Sequence, residues 1–222
     1  MRAAASEPAR SGGGALAHVY SDIAAYYSAK VARFGATPNG VDWTCQATQE
    51  MRFVQLLKLC DFTSSFSLND YGCGYGALIA YLDRRHRGCA IDYLGIDLSR
   101  AMVQRARQKW RDRNAADFVL GHASPRTADY AVASGIFNVA REQTRQDWEH
   151  FIAASLDDLH RTTTRGFAVN FMKRAPGTAG REGLYTTDTA SWARHCAARF
   201  NATAEVRDGY GLMEFTLIVR KL

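Results

Sequence analysis

The chain has 222 residues, enough for one domain with a full core and too few for two complete ones. Hydrophobic residues make up 47% and charged residues 23%, an ordinary globular balance, and no apolar run approaches the roughly 20 residues of a membrane span. The net charge of +6 invites a nucleic-acid reading, but the positive residues are spread along the chain and form no basic block.

Met1 to Gly14 is rich in Ala, Gly, Ser and Arg, lacks the apolar core of a signal peptide and is expected to be a disordered tail. Ser21 and Asp22 read as the cap of a helix whose apolar face uses Ile23, Tyr26, Tyr27 and Val31. Two glycines and a proline between Gly35 and Gly40 mark a turn. A second helix is expected from about Thr48 to Cys60, with Met51, Phe53, Val54, Leu57 and Leu59 apolar. Residues 15–62 would then be a helical cap or lid ahead of a core spanning 63–222.

The core opens with SLNDYGCGYGALIAYLDRRHRGCAIDYLGIDL, Ser67 to Leu98. Leu68–Tyr71 reads as a strand that carries Asp70 and runs into Gly72, Cys73, Gly74, Tyr75 and Gly76. An apolar helical run follows through Leu78, Ile79, Tyr81 and Leu82. A second strand, Tyr93–Ile96, ends in Asp97. Strand, glycine turn, helix, strand and acid describe the first βαβ unit of a Rossmann-like nucleotide site. Glycines let the backbone turn sharply and let a ligand approach where a Cβ would clash. Asp97 would accept hydrogen bonds from a ribose diol. GCGYGA also satisfies the dinucleotide pattern G-x-G-x-x-G/A, so the loop alone leaves an NAD-dependent oxidoreductase open. A pyrophosphate there would lie near Asp70, and two negative groups in a poorly solvated crevice repel.

Ser99 can cap a helix over Arg100–Arg113, whose cations surround the apolar stripe Met102, Val103, Ala106 and Trp110 as a solvated face does. Phe118–Leu120 and Tyr130–Ala133 are the third and fourth strands, the latter followed by Ser134, Gly135, Ile136, Phe137 and Asn138. A long helix over Gln143–Arg161 and a fifth strand, Gly166–Met172, come next. These short apolar runs suit a parallel sheet covered on both faces. Lys173 to Thr187 reads as a polar loop and Ala190–Phe200 as a helix. Ala202–Val206 and Met213–Val219 read as an antiparallel hairpin.

With an acid near the end of strand one followed by G-x-G-x-G (Asp70, Gly72, Gly74, Gly76), and a second acid ending strand two (Asp97), the chain resembles the class I S-adenosylmethionine-dependent methyltransferases. The resemblance covers about Leu68 to Leu222. It implies an α/β fold, a doubly wound seven-stranded, mostly parallel sheet of order 3-2-1-4-5-7-6 with the last strand antiparallel. Its cofactor, S-adenosylmethionine, has no phosphate and one net positive charge, which suits Asp70. His122, after strand three, stands where the family contacts the adenine amino group, and a neutral imidazole can accept that bond. Ser134, Gly135, Phe137 and Asn138 stand beneath the transferred methyl. Cys73 and Leu98 complete the expected cofactor contacts.

The N-terminal segment is similar to that of bacterial small-molecule methyltransferases, through Tyr26, Tyr27 and Lys30, Gly40 to Trp43, and Gln49, Arg52 and Phe53. Tyr27 or Trp43 would face the sulfonium, and Lys30 or Arg52 would pair with the methionine carboxylate. Candidate bases are His18, Tyr27, His122 and Tyr185. No metal is expected, and the five scattered cysteines indicate neither zinc nor a disulfide framework. The expected activity is metal-independent methyl transfer to a small-molecule oxygen or nitrogen in the cytoplasm. A protein that holds the cofactor without transferring methyl is the alternative outside enzymes. The expected partners are the methyl acceptor and a second copy of the chain as a homodimer. Nucleic acid is disfavoured, because the N/D-P-P-Y/F motif is missing after strand four.

Overall fold

The computed structural model describes residues 16–174 and 181–222, so the expected tail and the middle of the 173–187 loop lie outside the described residues. Its strands are β1 (Phe66–Tyr71), β2 (Ile91–Asp97), β3 (Ala116–Leu120), β4 (Ala128–Ala133), β5 (Thr163–Met172), β6 (Ala202–Arg207) and β7 (Glu214–Lys221). They form one sheet in the order β3-β2-β1-β4-β5-β7-β6. The first five are mutually parallel, and β7 runs antiparallel to both neighbours, as the resemblance implied.

Helices α1 (Ala17–Phe34), α2 (Gln46–Leu56), α3 (Ala77–Arg85), α4 (Arg100–Lys109), α5 (Arg145–Arg161) and α6 (Ser191–Arg199) flank the sheet. On one face, Phe53 and Leu56 of α2, Leu78 and Leu82 of α3, and Val103 and Ala106 of α4 pack on Leu68, Tyr93 and Val132. On the other, Trp148, Ile152 and Leu156 of α5 and Trp192 of α6 cover Phe167, Val169, Phe171, Phe215 and Leu217. Each such phenylalanine or leucine contributes about 1.5–3 kcal/mol when fully buried. Glu214 to Val219 of β7 are all buried, because this strand lies inside the sheet with helices over both faces. The edge strand β6 alternates instead.

Two helix starts differ in an instructive way. Ser99 caps α4 as expected, its Oγ accepting from Met102 N at 3.2 Å. Ser21 does not cap α1, which begins four residues earlier at Ala17. Leu16 and Val19 pack against the core there, and that burial extends the helix past the polar pair. Helix α1 then runs over the carboxyl ends of the strands. Its Tyr20 stacks on His122 at 4.4 Å, and Ser28 Oγ lies 2.8 Å from Ser99 Oγ. A 3₁₀ turn, Pro38–Val41, and the loop to Cys45 continue this cover.

Candidate functional site

Strand β1 ends at Tyr71, and the chain turns into α3 through Gly72, Gly74 and Gly76 at φ values of +68°, +55° and +77°. Side chains avoid that left-handed region, which is why glycine recurs here. Gly72 N and Cys73 N donate to Ile96 O at 2.8 and 3.1 Å, tying the turn to β2. One residue on, Asp97 Oδ2 accepts from Gly74 N and its Oδ1 from Ser99 N, both at 2.8 Å. Each carboxylate oxygen keeps a second lone pair for a ligand. Burial pushes Asp97 up to about 6, against the pull of those two amides. Burial pushes Asp70 further, to about 7, although the Tyr93 hydroxyl donates to it at 2.6 Å.

A cavity of about 550 Å³ opens above the turn. Asp70, Gly72, Cys73 and Gly74 line it from β1, and Asp97 and Leu98 from β2. His122 reaches it from the end of β3, and Ser134, Gly135 and Asn138 from the end of β4. Tyr27, Trp43 and Arg52 come from the N-terminal segment. That segment forms the roof. Val41 packs 3.1 Å from where a Cβ on Gly74 would stand, and the Trp43 indole occupies the space a Cβ on Gly135 would need.

Several expected residues are placed elsewhere. Gly76 backs onto Trp110, whose indole donates to Tyr75 O at 3.1 Å. Phe137 is fully buried and stacks on Phe171 at 5.1 Å, so it supports the β4 turn from below. Lys30 is off the cavity wall, its ammonium 2.5 Å from Asp42 Oδ1. Arg52 lines the wall but donates to both Glu214 oxygens, at 2.8 and 2.5 Å, and to Thr48 O at 2.6 Å. Its guanidinium also lies 3.7 Å over the Trp43 ring. It therefore has its carboxylate partner within the chain. Of the candidate bases, His18 is exposed outside the cavity, and Tyr185 is a core residue bonded to Glu149 and Trp192 at 3.1 Å each. Tyr27 lines the cavity, and burial raises its hydroxyl well above the usual range, with the charges of Asp42 and Asp97 adding to the shift.

Three wall or support residues were given no role from the sequence: Asn170, Glu214 and Asp42, the last noted only within the Gly40 to Trp43 match. Asn170 Nδ2 donates to Glu214 Oε2 at 2.6 Å, and Gly135 N donates to Asn170 Oδ1 at 2.8 Å. Polar residues inside apolar strands were the available hint. Of five buried side-chain atoms without a partner among the described residues, three line this cavity: Asp42 Oδ2, Ser134 Oγ and Asn138 Oδ1. Unpaired buried acceptors are costly, so the cavity fits a ligand that brings donors. A nucleoside with hydroxyl and amino groups meets that demand, and the glycine turn leaves it room.

Comparison with known proteins follows the same lines. The methyltransferase domain family matches residues 69–163, the glycine turn and Asp97 included. A Mycobacterium tuberculosis protein assigned as a methyltransferase is 40% identical over 166 residues, which is 74% of this chain and 99% of its own length. Magnesium protoporphyrin IX methyltransferase of Synechocystis PCC 6803, solved with bound S-adenosylhomocysteine, has a TM-score of 0.61 at 14% identity and covers 93% of this chain and 99% of its own. DhpI, solved with the same product, has a TM-score of 0.63 at 13% identity over 91% and 96% of the two chains. A [4+2]-cyclase, SpnF, shares the fold at a TM-score of 0.54 and 20% identity over 73% and 60%, so the fold by itself does not choose the reaction. The 40% relative does, and it sets the NAD reading aside. This chain belongs to the class I S-adenosylmethionine-dependent methyltransferases.

Proposed function

We propose that the chain moves the methyl group of S-adenosylmethionine to an oxygen or nitrogen of a small molecule held in this cavity. One observation carries the reading. The same cavity of about 550 Å³ takes in the Gly74–Asp97 crevice and an apolar-walled space formed by Ile23, Val139, Leu184 and Leu212. That is the size of a pocket for small ligands. The name of the Synechocystis neighbour, a porphyrin methyltransferase, agrees with a small-molecule acceptor.

Bound cofactor supplies an already activated methyl on a positively charged sulfur. The chain's residues hold, orient and exclude water. Asp97, fixed by Gly74 N and Ser99 N, takes the ribose hydroxyls, and the Gly72–Gly74 turn gives the cofactor room. His122, steadied by its stack on Tyr20, receives the adenine amino group. Ser134, Gly135 and Asn138 face the transfer, with Phe137 beneath them. Tyr27 stays a neutral hydroxyl at physiological pH, so it offers a hydrogen bond and not a phenolate. Trp43, braced by Arg52, closes the roof over Gly135. Alignment of this kind contributes several kcal/mol to a bimolecular step.

Calorimetry tests the site. S-adenosylhomocysteine should bind and NAD should not. Asp97→Ala should weaken the product cofactor by about tenfold or more, since each bond to a charged group is worth about 1.5–3 kcal/mol. An unchanged dissociation constant in this variant would sink the assignment. A screen of small amines, alcohols and phenols for S-adenosylhomocysteine release then tests the transfer itself.

A further inference from the structure

Asp42 has the most unusual setting of any wall residue. It sits between Val41, which covers Gly74, and Trp43, which covers Gly135. Asp42 itself lines the cavity between these two roof contacts. Its backbone is left-handed at φ +61°, a region where aspartate and asparagine are tolerated. Oδ1 meets Lys30 Nζ at 2.5 Å from outside the cavity wall. Oδ2 is buried with no hydrogen-bond partner among the described residues, and the carboxylate lies close enough to the Tyr26 hydroxyl to add to the pKa rise that burial gives it. The rings of Tyr26 and Tyr27 also line this part of the wall, packed edge to face 5.1 Å apart. Tyr26 already carries two cations, Lys30 at 5.3 Å and Arg141 at 4.8 Å from its centroid.

The charge of the whole wall points the same way. Asp42, Asp70, Asp97 and Glu214 line it against Arg52 and Arg181. Arg52 and Glu214 neutralise each other, and Arg181 is exposed. Asp70 and Asp97, beside the glycine turn, face the one net positive charge of S-adenosylmethionine. Asp42 shares its charge with Lys30 through Oδ1 and keeps Oδ2 for a donor. A carboxylate or phosphate on the acceptor would bring no donor to that oxygen, whereas an amine brings donors and can carry charge.

We infer that the methyl acceptor is a small molecule with an amine on an apolar body, and that Asp42 Oδ2 accepts a hydrogen bond from its nitrogen. The inference deepens the proposed function and rests on it. Tyrosine rings beside a carboxylate suit a cation, and the aliphatic wall of Ile23, Val139, Leu184 and Leu212 suits the body. The ammonium first gives one proton to Asp42 Oδ2, which frees the nitrogen lone pair. That lone pair forms the N–C bond as the C–S bond breaks with its electron pair left on sulfur, and the positive charge passes from sulfur to nitrogen beside the tyrosine rings.

Three molecules of one shape test this on protein saturated with S-adenosylhomocysteine: phenethylamine, 2-phenylethanol and phenylacetate. Calorimetry should show phenethylamine binding about tenfold or more tighter than the other two, the worth of one bond to a charged group. Asp42→Asn keeps the left-handed backbone and should erase that preference. Its affinity for S-adenosylhomocysteine should stay within about threefold of the parent, since Asp97 is untouched. Lys30→Gln breaks the same ion pair but keeps the carboxylate, so the amine preference should survive. Equal or tighter binding of phenylacetate, or binding of none of the three, overturns the inference. A large loss of S-adenosylhomocysteine in Asp42→Asn also overturns it, by giving this carboxylate to the cofactor. Failure of the parent protein to bind S-adenosylhomocysteine at all would instead strike the proposed function.

Discussion

Two buried acids decide how the empty site behaves with pH. Burial raises Asp70 to about 7 and Asp97 to about 6. A carboxylate whose folded pKa lies above its unfolded value stabilises the fold fully below the unfolded pKa, near 4. That contribution is lost as pH rises through the folded values, here about 6 to 7. The empty protein therefore carries unfavourable ionised acids at neutral pH, and a cationic ligand relieves them. S-adenosylmethionine should bind roughly tenfold or more tightly at about pH 7.5 than at about pH 5.5, because protons must leave both acids on binding. S-adenosylhomocysteine, which lacks the sulfonium charge, should show the shallower rise. Calorimetry across that range reads both slopes, and a flat profile for S-adenosylmethionine would remove Asp70 from the site. Both acids were legible in the sequence, Asp70 because it stands just before the glycine turn and Asp97 because it ends the next strand. Asp42 was not, since a lone aspartate in a Gly-Val-Asp-Trp loop declares neither its buried oxygen nor its left-handed backbone.

Five residues from five elements close a ring along the cavity wall. Trp43 from the roof lies under Arg52 of α2, and Arg52 pairs with Glu214 at the start of β7. Glu214 accepts from Asn170 of β5, Asn170 accepts from Gly135 N, and Gly135 touches Trp43 again. Strands β5 and β7 allow this because Phe167, Val169, Phe171, Phe215 and Leu217 point to the α5 and α6 face. Apart from Ile218, the opposite face carries small or polar side chains, Ala168, Asn170, Glu214 and Thr216. Desolvating the pair offsets most of its attraction, so its worth shows when one partner is removed. Glu214→Gln keeps an oxygen for Asn170 but strands the Arg52 guanidinium, and should cost about 3 kcal/mol or more. Adding Arg52→Met removes the stranded charge and should recover part of that loss. Urea unfolding of the two single variants and the double gives the coupling, and simple additivity would show that the ring holds no buried charge pair. Sequence reasoning placed Trp43 and Arg52 in the site but gave them ligands of their own. It had no view of Glu214, because pairing between residues 162 apart is set by strand order and register.

At the scale of the molecule, the strand order was legible and the roof was only half so. Repeated strand–helix units indicate a parallel sheet and the closing hairpin an antiparallel pair, while the order itself came from the family resemblance carried by the glycine turn and Asp97. How residues 16–45 lie on that sheet depends on contacts with residues far along the chain. Tyr20 meets His122, Ser28 meets Ser99, Val41 meets Gly74 and Trp43 meets Gly135. Beyond the core anchor of Leu16 and Val19, these contacts lie along the cavity rim, whereas the sheet is joined by continuous ladders. The roof should therefore open at a lower free energy than the sheet unfolds. It also covers the crevice that a cofactor must enter, so opening has to precede binding, and a bound cofactor adds contacts only in the closed state. Amide exchange over residues 36–56 should slow by about tenfold or more when S-adenosylhomocysteine is added, while β4 and β5 stay as slow as before. Trp43→Ala should reduce that slowing, because it takes away the contact at Gly135 without touching Asp97. Equal exchange with and without the product cofactor would mean that the roof is already rigid, and entry would then have to run past the exposed Met213 side of the cavity instead.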